Sequence, residues 1–252
     1  MKSVSYEAVR DALRLPADLH RKYWEFAYIV RALEANGALR AGARGLGFAV
    51  GNEPLPAYFA SRGCRVLATD LAPEADGSRG WLESGQHLTT KAALNERGIC
   101  EADAFDDLVS VRWLDMNAID ADLADFDFSW SACAFEHLGS LDAGLDFVRN
   151  QLACIRPGGV SVHTTELNVS SDEDTLATGP TVLFRRSDVA ALTKALERDG
   201  HTVAPLTFRL GDGAGDRDII QSPYQQQSPH LKIQVGPFVT TSFGIIIVKA
   251  ST

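Results

Sequence analysis

The sequence contains no long apolar run. Its most apolar late segment, residues 243–248, has the length of a β-strand, whereas a membrane-spanning helix needs roughly 18 consecutive apolar residues. Residues 1–7 also lack the charged-then-apolar pattern of a signal peptide. We therefore expect no membrane span and a cytoplasmic location.

Cysteine is scarce, and its four copies are widely spaced with no Cys-x-x-Cys pair. This spacing argues against a zinc knuckle and against a disulfide framework. It fits the reduced thiols of a cytoplasmic protein. We expect Cys64, Cys100, Cys133 and Cys154 to be buried and unreactive.

Basic residues are outnumbered, since 24 Lys and Arg stand against 33 Asp and Glu and give a net charge of −9. An acidic surface repels phosphate backbones, so nucleic acid is not an expected partner. The chain has 252 residues, of which 45% are hydrophobic. A chain of this size is expected to bury one large core.

Helical and strand patterns alternate along the chain. We predict helices over residues 18–37, 55–61, 88–97, 141–155 and 187–199, the last N-capped by Ser187, and strands over residues 44–49, 64–70, 109–114, 126–132, 160–165, 203–210 and 238–249. Such alternation is typical of an α/β fold with a doubly wound, mostly parallel sheet. Residues 211–229 are expected to form a long loop. We place an N-terminal helical segment at residues 1–40 and a single domain at residues 41–252.

The first predicted strand runs into a turn of small residues. Gly47, Ala49 and Gly51 stand where the chain must turn sharply into a helix. Small side chains there let a ligand approach the backbone, and free N–H groups follow at the start of the helix. A purely structural turn would have the same composition.

An acidic residue closes the second predicted strand. Asp70 follows Gly51 by 19 residues, close to the spacing of about 20 at which an acid meets the ribose in dinucleotide-binding folds. An ionised carboxylate can accept both ribose hydroxyl protons. The alternative is that Asp70 only caps the following turn.

Residues after the other strands complete a pattern that resembles the class I S-adenosylmethionine-dependent methyltransferases over residues 40–250. The turn at residues 47–51 resembles the family's first motif, with Ala49 where the family usually has glycine. Residues 131–138 resemble the segment after strand four, and residues 152–159 resemble the turn before strand five. The resemblance implies a seven-stranded, Rossmann-like sheet whose last strand is antiparallel.

The resemblance also implies the cofactor, S-adenosyl-L-methionine, and the residues that contact it. Asp70 corresponds to the ribose-binding acid, Asp115 to the acid near the adenine amine, and Met116 to the residue against the ring. The full set of implied contacts is Gly47, Phe48, Ala49, Gly51, Glu53, Asp70, Leu71, Asp115, Met116, Ser131 and Glu136.

Residues 45–56 and 162–166 look like a bacterial subfamily that modifies sugars or glycans of surface polysaccharides. The implied methyl acceptor is a small molecule or a glycan, with a sugar hydroxyl as the leading candidate, in polysaccharide biosynthesis. A hydroxyl is a weak nucleophile and usually needs a general base within hydrogen-bond distance. His137 and Glu166 follow strands four and five and are the candidate catalytic bases.

These candidates have alternative roles. Glu136 and His137 could only support cofactor binding and cap the local turn. His163, inside strand five, is either a further candidate base or a hydrogen-bonded core histidine. Asp127, Glu136, His137 and Glu166 offer oxygen and nitrogen atoms but show no recognisable metal-ligand spacing. We therefore assign no metal.

Two further segments have open roles. The aromatics Tyr23, Trp24 and Phe26 of the first long helix either cover the cofactor pocket or pack in the core. The amide-rich loop at residues 223–230 either binds a sugar-like acceptor or is a solvated connector.

Two other functions share the early part of the pattern. Glycines followed by an acid also suit NAD, but no tyrosine has a lysine four residues on, as the short-chain oxidoreductases would require. The other alternative is a non-catalytic subunit that binds a partner enzyme. The glycine turn and Asp70 count against it. The oligomeric state is left open by the sequence.

Overall fold

Nine strands form one mixed sheet in the computed structural model, which describes residues 5–213, 215–221 and 229–251. The strands are β1 (Arg44–Phe48), β2 (Arg65–Asp70), β3 (Val109–Trp113), β4 (Phe126–Ala132), β5 (Ile155–Asn168), β6 (Thr202–Val203), β7 (Ile219–Ile220), β8 (Lys232–Val235) and β9 (Phe238–Val248). The sheet order is β3-β2-β1-β4-β5-β9-β8-β7, and β6 also pairs with β9.

The helices cover both faces of this sheet. They are α1 (Tyr6–Ala12), α2 (Arg21–Ala35), α3 (Leu55–Ser61), α4 (Arg79–Glu83), α5 (Ala102–Leu108), α6 (Leu141–Asn150) and α7 (Arg186–Arg198), with 3₁₀ turns at Lys91–Asn95, Phe135–His137 and Gln151–Cys154. Among the residues described above, no helix has both the length and the apolar character needed to cross a membrane.

The predicted doubly wound, mostly parallel sheet with an antiparallel last strand is confirmed. β1, β2, β3, β4 and β5 pair in parallel, whereas β9 runs antiparallel to β5. The strand number is nine rather than seven, because β7 and β8 add to the seven predicted strands. The second edge of β9 pairs with β6 along its C-terminal part and with β8 along its N-terminal part. β7 lies within the segment predicted to be a loop.

The core has two parts, one on each face of the sheet. α1, α2, α3 and α5 contribute to one part, and α6 and α7 contribute to the other. In α2 the buried side chains Phe26, Ile29, Val30 and Leu33 recur at helical spacing and face the sheet. Because α2 packs on β4, β5 and β9, its side chains reach the carboxyl edge of the sheet. The domain boundary at residue 40 stays a prediction.

Several predicted elements have different bounds in the structure. The helix expected at residues 88–97 is the 3₁₀ turn Lys91–Asn95, and the helix expected to reach residue 155 ends at Asn150. Most of the strand expected at residues 203–210 is not strand. Ser187 lies inside α7 and is not its N-cap. Arg185 holds that position, because the Asp188 carboxylate accepts its backbone N–H at 2.9 Å.

The four cysteines are free thiols. Cys64, Cys100 and Cys154 are buried, as expected, and Cys133 is only partly buried.

Candidate functional site

A cavity of about 430 Å³ opens at the carboxyl ends of β1, β2, β3 and β4. The strand order reverses between β1 and β4, and ligands bind at such switch points in doubly wound sheets. The volume lies within the usual range of small-molecule sites. The residues expected to contact the cofactor that line it are Ala49, Gly51, Glu53, Asp70, Leu71, Asp115 and Met116.

The glycine turn forms one wall of the cavity in a left-handed backbone conformation. Ala49 has φ of 48° and Gly51 has φ of 51°. A Cβ atom on Gly51 would lie 2.1 Å from the Gln86 carbonyl oxygen, so this position requires glycine. Cys133, just after the neighbouring strand β4, is also left-handed with φ of 49°. Two non-glycine residues in this region, both on the cavity wall, indicate backbone strain stored at the site.

Gly47 and Phe48 do not line the cavity. A Cβ atom on Gly47 would lie 2.4 Å from the Trp130 ring, so the missing side chain makes room for that indole and not for a ligand. Phe48 is fully buried and packs edge-to-face on Phe147. The expectation that these two residues contact a cofactor stays a prediction, which the placement of the Phe48 side chain does not favour.

Asp70 joins three segments around the cavity. Its carboxylate accepts the backbone N–H of Gly51 at 3.2 Å, of Leu88 at 2.9 Å and of Leu71 at 2.8 Å. Asp70 thus caps the turn and also lines the cavity. An ionised carboxylate has about four lone-pair sites, so acceptor capacity remains for a ligand hydroxyl.

Asp115 and Met116 lie where β3 ends. The Asp115 carboxylate accepts the Asn117 N–H at 2.8 Å, which fixes the turn and leaves its other oxygen available. Met116 is buried and presents an apolar surface to the same part of the cavity. An acceptor beside an apolar surface suits a flat ring that carries an amine.

Glu53 is a buried acid in the cavity wall. Its Oε1 accepts the Trp130 indole N–H at 2.5 Å, and the residue is 8% exposed. Burial raises the pKa of this carboxyl to about 8, although the Trp130 hydrogen bond opposes the shift. Glu53 is therefore mostly protonated at neutral pH.

His137 lines the cavity with a defined tautomer. Its Nδ1 lies 2.9 Å from the Pro180 carbonyl oxygen. Because a carbonyl oxygen only accepts hydrogen bonds, the neutral ring carries its proton on Nδ1 and leaves Nε2 unprotonated. Burial holds the pKa of His137 below its usual value, so the ring is neutral at pH 7. The Trp81 ring packs edge-on against it, with centroids 4.6 Å apart.

Three side chains of α2 complete the cavity wall. They are Lys22, Tyr23 and Phe26. Lys22 Nζ donates to the Ala132 carbonyl at 2.8 Å and lies 3.0 Å from a Glu25 oxygen. Trp24 points away and stacks on Tyr28. The aromatics of this helix thus divide between cavity, core and surface.

Glu166 lies outside the cavity, contrary to the expectation that it faces the cleft. β5 continues to Asn168, and Glu166 is a buried residue within it, ion-paired with Arg21 of α2. Its Oε2 also accepts the Thr240 hydroxyl at 2.8 Å. The proposed catalytic role of Glu166 stays a prediction that this geometry does not favour.

Glu136 and Ser131 are likewise buried behind the cavity wall. Glu136 accepts the Thr165 hydroxyl at 2.9 Å through Oε2, while its buried Oε1 has no hydrogen-bond partner among the described residues. Burial, with Glu166 nearby, raises the pKa of Glu136 to about 8. Ser131 lies 2.8 Å from His163 Nδ1.

His163 is a hydrogen-bonded core histidine, which is one of the two roles expected for it. It is fully buried, and its Nε2 lies 2.7 Å from the Ser161 hydroxyl. Burial lowers its pKa to about 3, so it is neutral at physiological pH.

The described residues bring Cys133, Glu136 and Glu166 together, with ligand atoms within 4.8 Å of one another. The Arg21 guanidinium already pairs with Glu166 and lies 3.7 Å from the Cys133 sulfur. A cation therefore occupies the position that a metal ion would need. Asp127 lies elsewhere, paired with Arg40 and Arg156. We assign no metal to this cluster.

No family model and no curated protein matches the sequence. Solved structures match its fold. A sarcosine dimethylglycine methyltransferase from Galdieria sulphuraria has a TM-score of 0.54 at 14% identity and covers 92% of this chain and 85% of its own. Magnesium protoporphyrin IX methyltransferase from Synechocystis, solved with bound SAH, has a TM-score of 0.52 at 10% identity and covers 95% of this chain and 92% of its own.

Phosphoethanolamine N-methyltransferase 2 from Haemonchus contortus, in complex with S-adenosyl-L-methionine, has a TM-score of 0.54 at 15% identity and covers 99% of this chain and 58% of its own. The chain has the class I methyltransferase fold. Identities this low establish the fold and leave the activity to be argued from the site.

Sequence reasoning missed several cavity residues. Trp81 and His87 come from a polar, glycine-containing stretch without clear periodicity. Lys22 lies on a helix that precedes the first strand, and no motif pointed to it. The aromatic residues next to Lys22 in the sequence were the one signal that could have indicated its place in the cavity. The amide-rich loop falls largely on residues 222–228, which lie outside the described residues.

Proposed function

We propose that the protein is an S-adenosylmethionine-dependent methyltransferase that methylates a hydroxyl oxygen of a small molecule or a glycan. One observation carries this proposal. One switch-point cavity is lined by the glycine turn, by Asp70 and Asp115, and by the neutral imidazole of His137. Acceptors suited to a nucleoside and a base in the same cavity are what methyl transfer to a hydroxyl requires.

The residues present fit the parts of the cofactor. Asp70 retains acceptor capacity for a ribose hydroxyl, and Asp115 has one oxygen available for the adenine amine. Met116 offers the ring an apolar surface. When bound, S-adenosylmethionine supplies a methyl group that its sulfonium activates for transfer.

His137 is the base in this proposal. Its Nδ1–H is held by the Pro180 carbonyl, so Nε2 is the nitrogen that takes the acceptor proton. Burial keeps the ring neutral before the reaction. Glu136 Oε1 lies 3.9 Å from Nε2. A positioned base of this kind contributes on the order of 10²–10⁴-fold.

The choice of acceptor has separate support. A neutral imidazole suits an uncharged hydroxyl, and residues 45–56 and 162–166 look like sugar-modifying bacterial enzymes. We therefore place the reaction in the cytoplasm, in polysaccharide biosynthesis, with a sugar hydroxyl as acceptor. The net charge of −9 makes nucleic acid an unfavourable partner.

Parallel calorimetric titrations with S-adenosylhomocysteine and NAD test the proposal. We expect binding of S-adenosylhomocysteine and none of NAD. Binding of NAD alone would indicate an oxidoreductase. Binding of neither would indicate a subunit without cofactor chemistry.

The role of His137 is tested with His137→Ala. Turnover on a candidate sugar acceptor should fall by about 10²–10⁴-fold while the affinity for S-adenosylhomocysteine stays nearly unchanged, because the base acts in the transition state. Loss of cofactor affinity instead would place His137 in the cofactor pocket.

A further inference from the structure

One end of the cavity carries an acidic and a basic side chain that no motif explains as a pair. Glu53 follows the glycine turn, and Lys22 comes from α2. Glu53 accepts the Trp130 indole N–H, while Lys22 donates to the carbonyl of Ala132. Trp130 and Ala132 both lie at the carboxyl end of β4, and Lys22 is near enough to Glu53 to lower the pKa of its carboxyl. The two side chains therefore lie at the same strand end.

Both groups retain capacity for a ligand. Glu53 uses Oε1 for Trp130, and its other oxygen is available to the cavity. Lys22 Nζ has three N–H donors and contacts Ala132 and Glu25, which leaves one donor. Its side chain is 30% exposed.

We propose that Glu53 and Lys22 hold the amino-acid end of the cofactor, and that Glu53 releases a proton to solvent when the cofactor's ammonium group binds. The ammonium group contacts the Glu53 carboxylate, and the cofactor's carboxylate contacts Lys22. This inference rests on the proposed function. One O–H bond of Glu53 breaks, and no other bond changes.

The surroundings of Glu53 explain why binding and proton release are linked. Burial, Glu25 of α2 and Asp70 of β2 all favour the protonated carboxyl, while Lys22 of α2 and Trp130 of β4 oppose them. The balance raises the pKa to about 8. An ammonium group brought into contact adds a positive charge that favours the carboxylate. Binding therefore converts a neutral acid into half of an ion pair.

Other charged residues of the cavity are less suited to this end. The Asp70 carboxylate already accepts three backbone N–H groups, and Asp115 lies at the far strand end, after β3. Arg97 is directed towards α1, since its Nη1 donates to the Arg14 carbonyl at 2.9 Å. Glu53 and Lys22 are thus the best-placed partners for the ammonium and carboxylate groups of the cofactor's amino-acid end.

Calorimetry with two nucleosides tests the inference. S-adenosylhomocysteine carries the amino-acid end, and methylthioadenosine lacks it. Each is titrated between pH 6 and 8.5 in two buffers of different ionisation enthalpy, which gives the number of protons released. For the wild type at pH 7 we expect nearly one proton released with S-adenosylhomocysteine and none with methylthioadenosine. Affinity for S-adenosylhomocysteine should rise by up to about tenfold per pH unit below pH 8.

Two variants sharpen the test. Glu53→Gln should abolish proton release and should bind S-adenosylhomocysteine at least about tenfold more weakly at pH 8.5, while the difference shrinks at pH 6. Lys22→Met should weaken the same ligand about tenfold. Both variants should bind methylthioadenosine within about twofold of the wild type. Glu197→Gln and Lys194→Met, exposed on α7, are the matched controls and should change neither ligand.

The outcomes separate the two proposals. If methylthioadenosine binds and S-adenosylhomocysteine releases no proton in the wild type, this inference is wrong and the proposed function stands. If neither nucleoside binds, the proposed function fails. The number of protons released is measured on the wild-type protein, so it tests the inference even where a variant fails to fold.

Discussion

Two regions at the same edge of the sheet differ in structure, since one is open to the cavity and the other is closed and buried. The carboxyl ends of β1 and β4 open on the cavity, and their backbone there includes strained, left-handed residues. The corresponding end of β5 is closed by α2, whose Arg21 pairs with Glu166 in the buried cluster. Glu166 is therefore kept out of the site by its ion pair with α2, although it lies near the carboxyl end of its strand. Both regions contain acids whose pKa burial raises to about 8, Glu53 in the cavity and Glu136 in the cluster.

The largest expected effect removes the cation of the closed region. Arg21→Met leaves Glu166 as an uncompensated buried charge, which typically costs about 3–5 kcal/mol of folding free energy. The matched control is Arg112→Met, which breaks an exposed ion pair with Asp120 and Asp122 and should cost much less. Urea denaturation measures both variants. Equal losses would show that the burial of Arg21 does not determine its contribution.

The next effect concerns the pH dependence of stability. Glu136 has a pKa of about 8 in the folded protein against a usual value of 4.5. The folded state therefore binds a proton that the unfolded state releases. This contribution to stability is complete below the usual pKa and is lost as pH rises through 8. It can reach about 1.4 kcal/mol per pH unit.

Glu136→Gln keeps an acceptor for Thr165 and removes this titration. The free energy of unfolding should therefore fall less steeply between pH 5 and 8 than in the wild type. Glu53→Gln should remove a second, similar slope from the open region. Denaturation curves at a series of pH values measure both, and an unchanged slope in the Glu136 variant would contradict a protonated Glu136.

A smaller effect tests the open region's binding role. Asp70→Ala removes charge-assisted hydrogen bonds of about 1.5–3 kcal/mol, so affinity for S-adenosylhomocysteine should fall by roughly one to two orders of magnitude. Asp115→Ala is the comparison at the neighbouring strand end. A loss below about threefold for Asp70→Ala would leave Asp70 as a turn cap alone.

The smallest effect tests the backbone strain. Ala49 has a positive φ, which costs an L-residue roughly 1–2 kcal/mol, and part of the gain from glycine is lost to the extra freedom of the unfolded chain. Ala49→Gly should therefore stabilise the protein by up to about 1 kcal/mol. Ala191→Gly, exposed in α7, should instead destabilise it by about 1 kcal/mol. Thermal denaturation of both variants gives the signs, and destabilisation by Ala49→Gly would argue against strain.

The sequence by itself determined the alternation of helices and strands, the mostly parallel sheet and the position of the turn after β1. Apolar periodicity and turn residues act over a few positions, so the bounds of α3 and β4 were predicted to the residue. Spacing placed Asp70 at the end of β2, where it lines the cavity.

Only the tertiary structure decided which strand ends stay open. The burial of Glu166 depends on Arg21, which lies far away in sequence on a helix whose docking no local pattern specifies. Gly47 likewise makes room for Trp130 on a neighbouring strand, a contact that no local pattern indicates. The packing of α2 on β4, β5 and β9 brings Lys22 to the cavity and Arg21 to the buried cluster. Long-range packing brings such groups together, and local patterns in the sequence do not encode it.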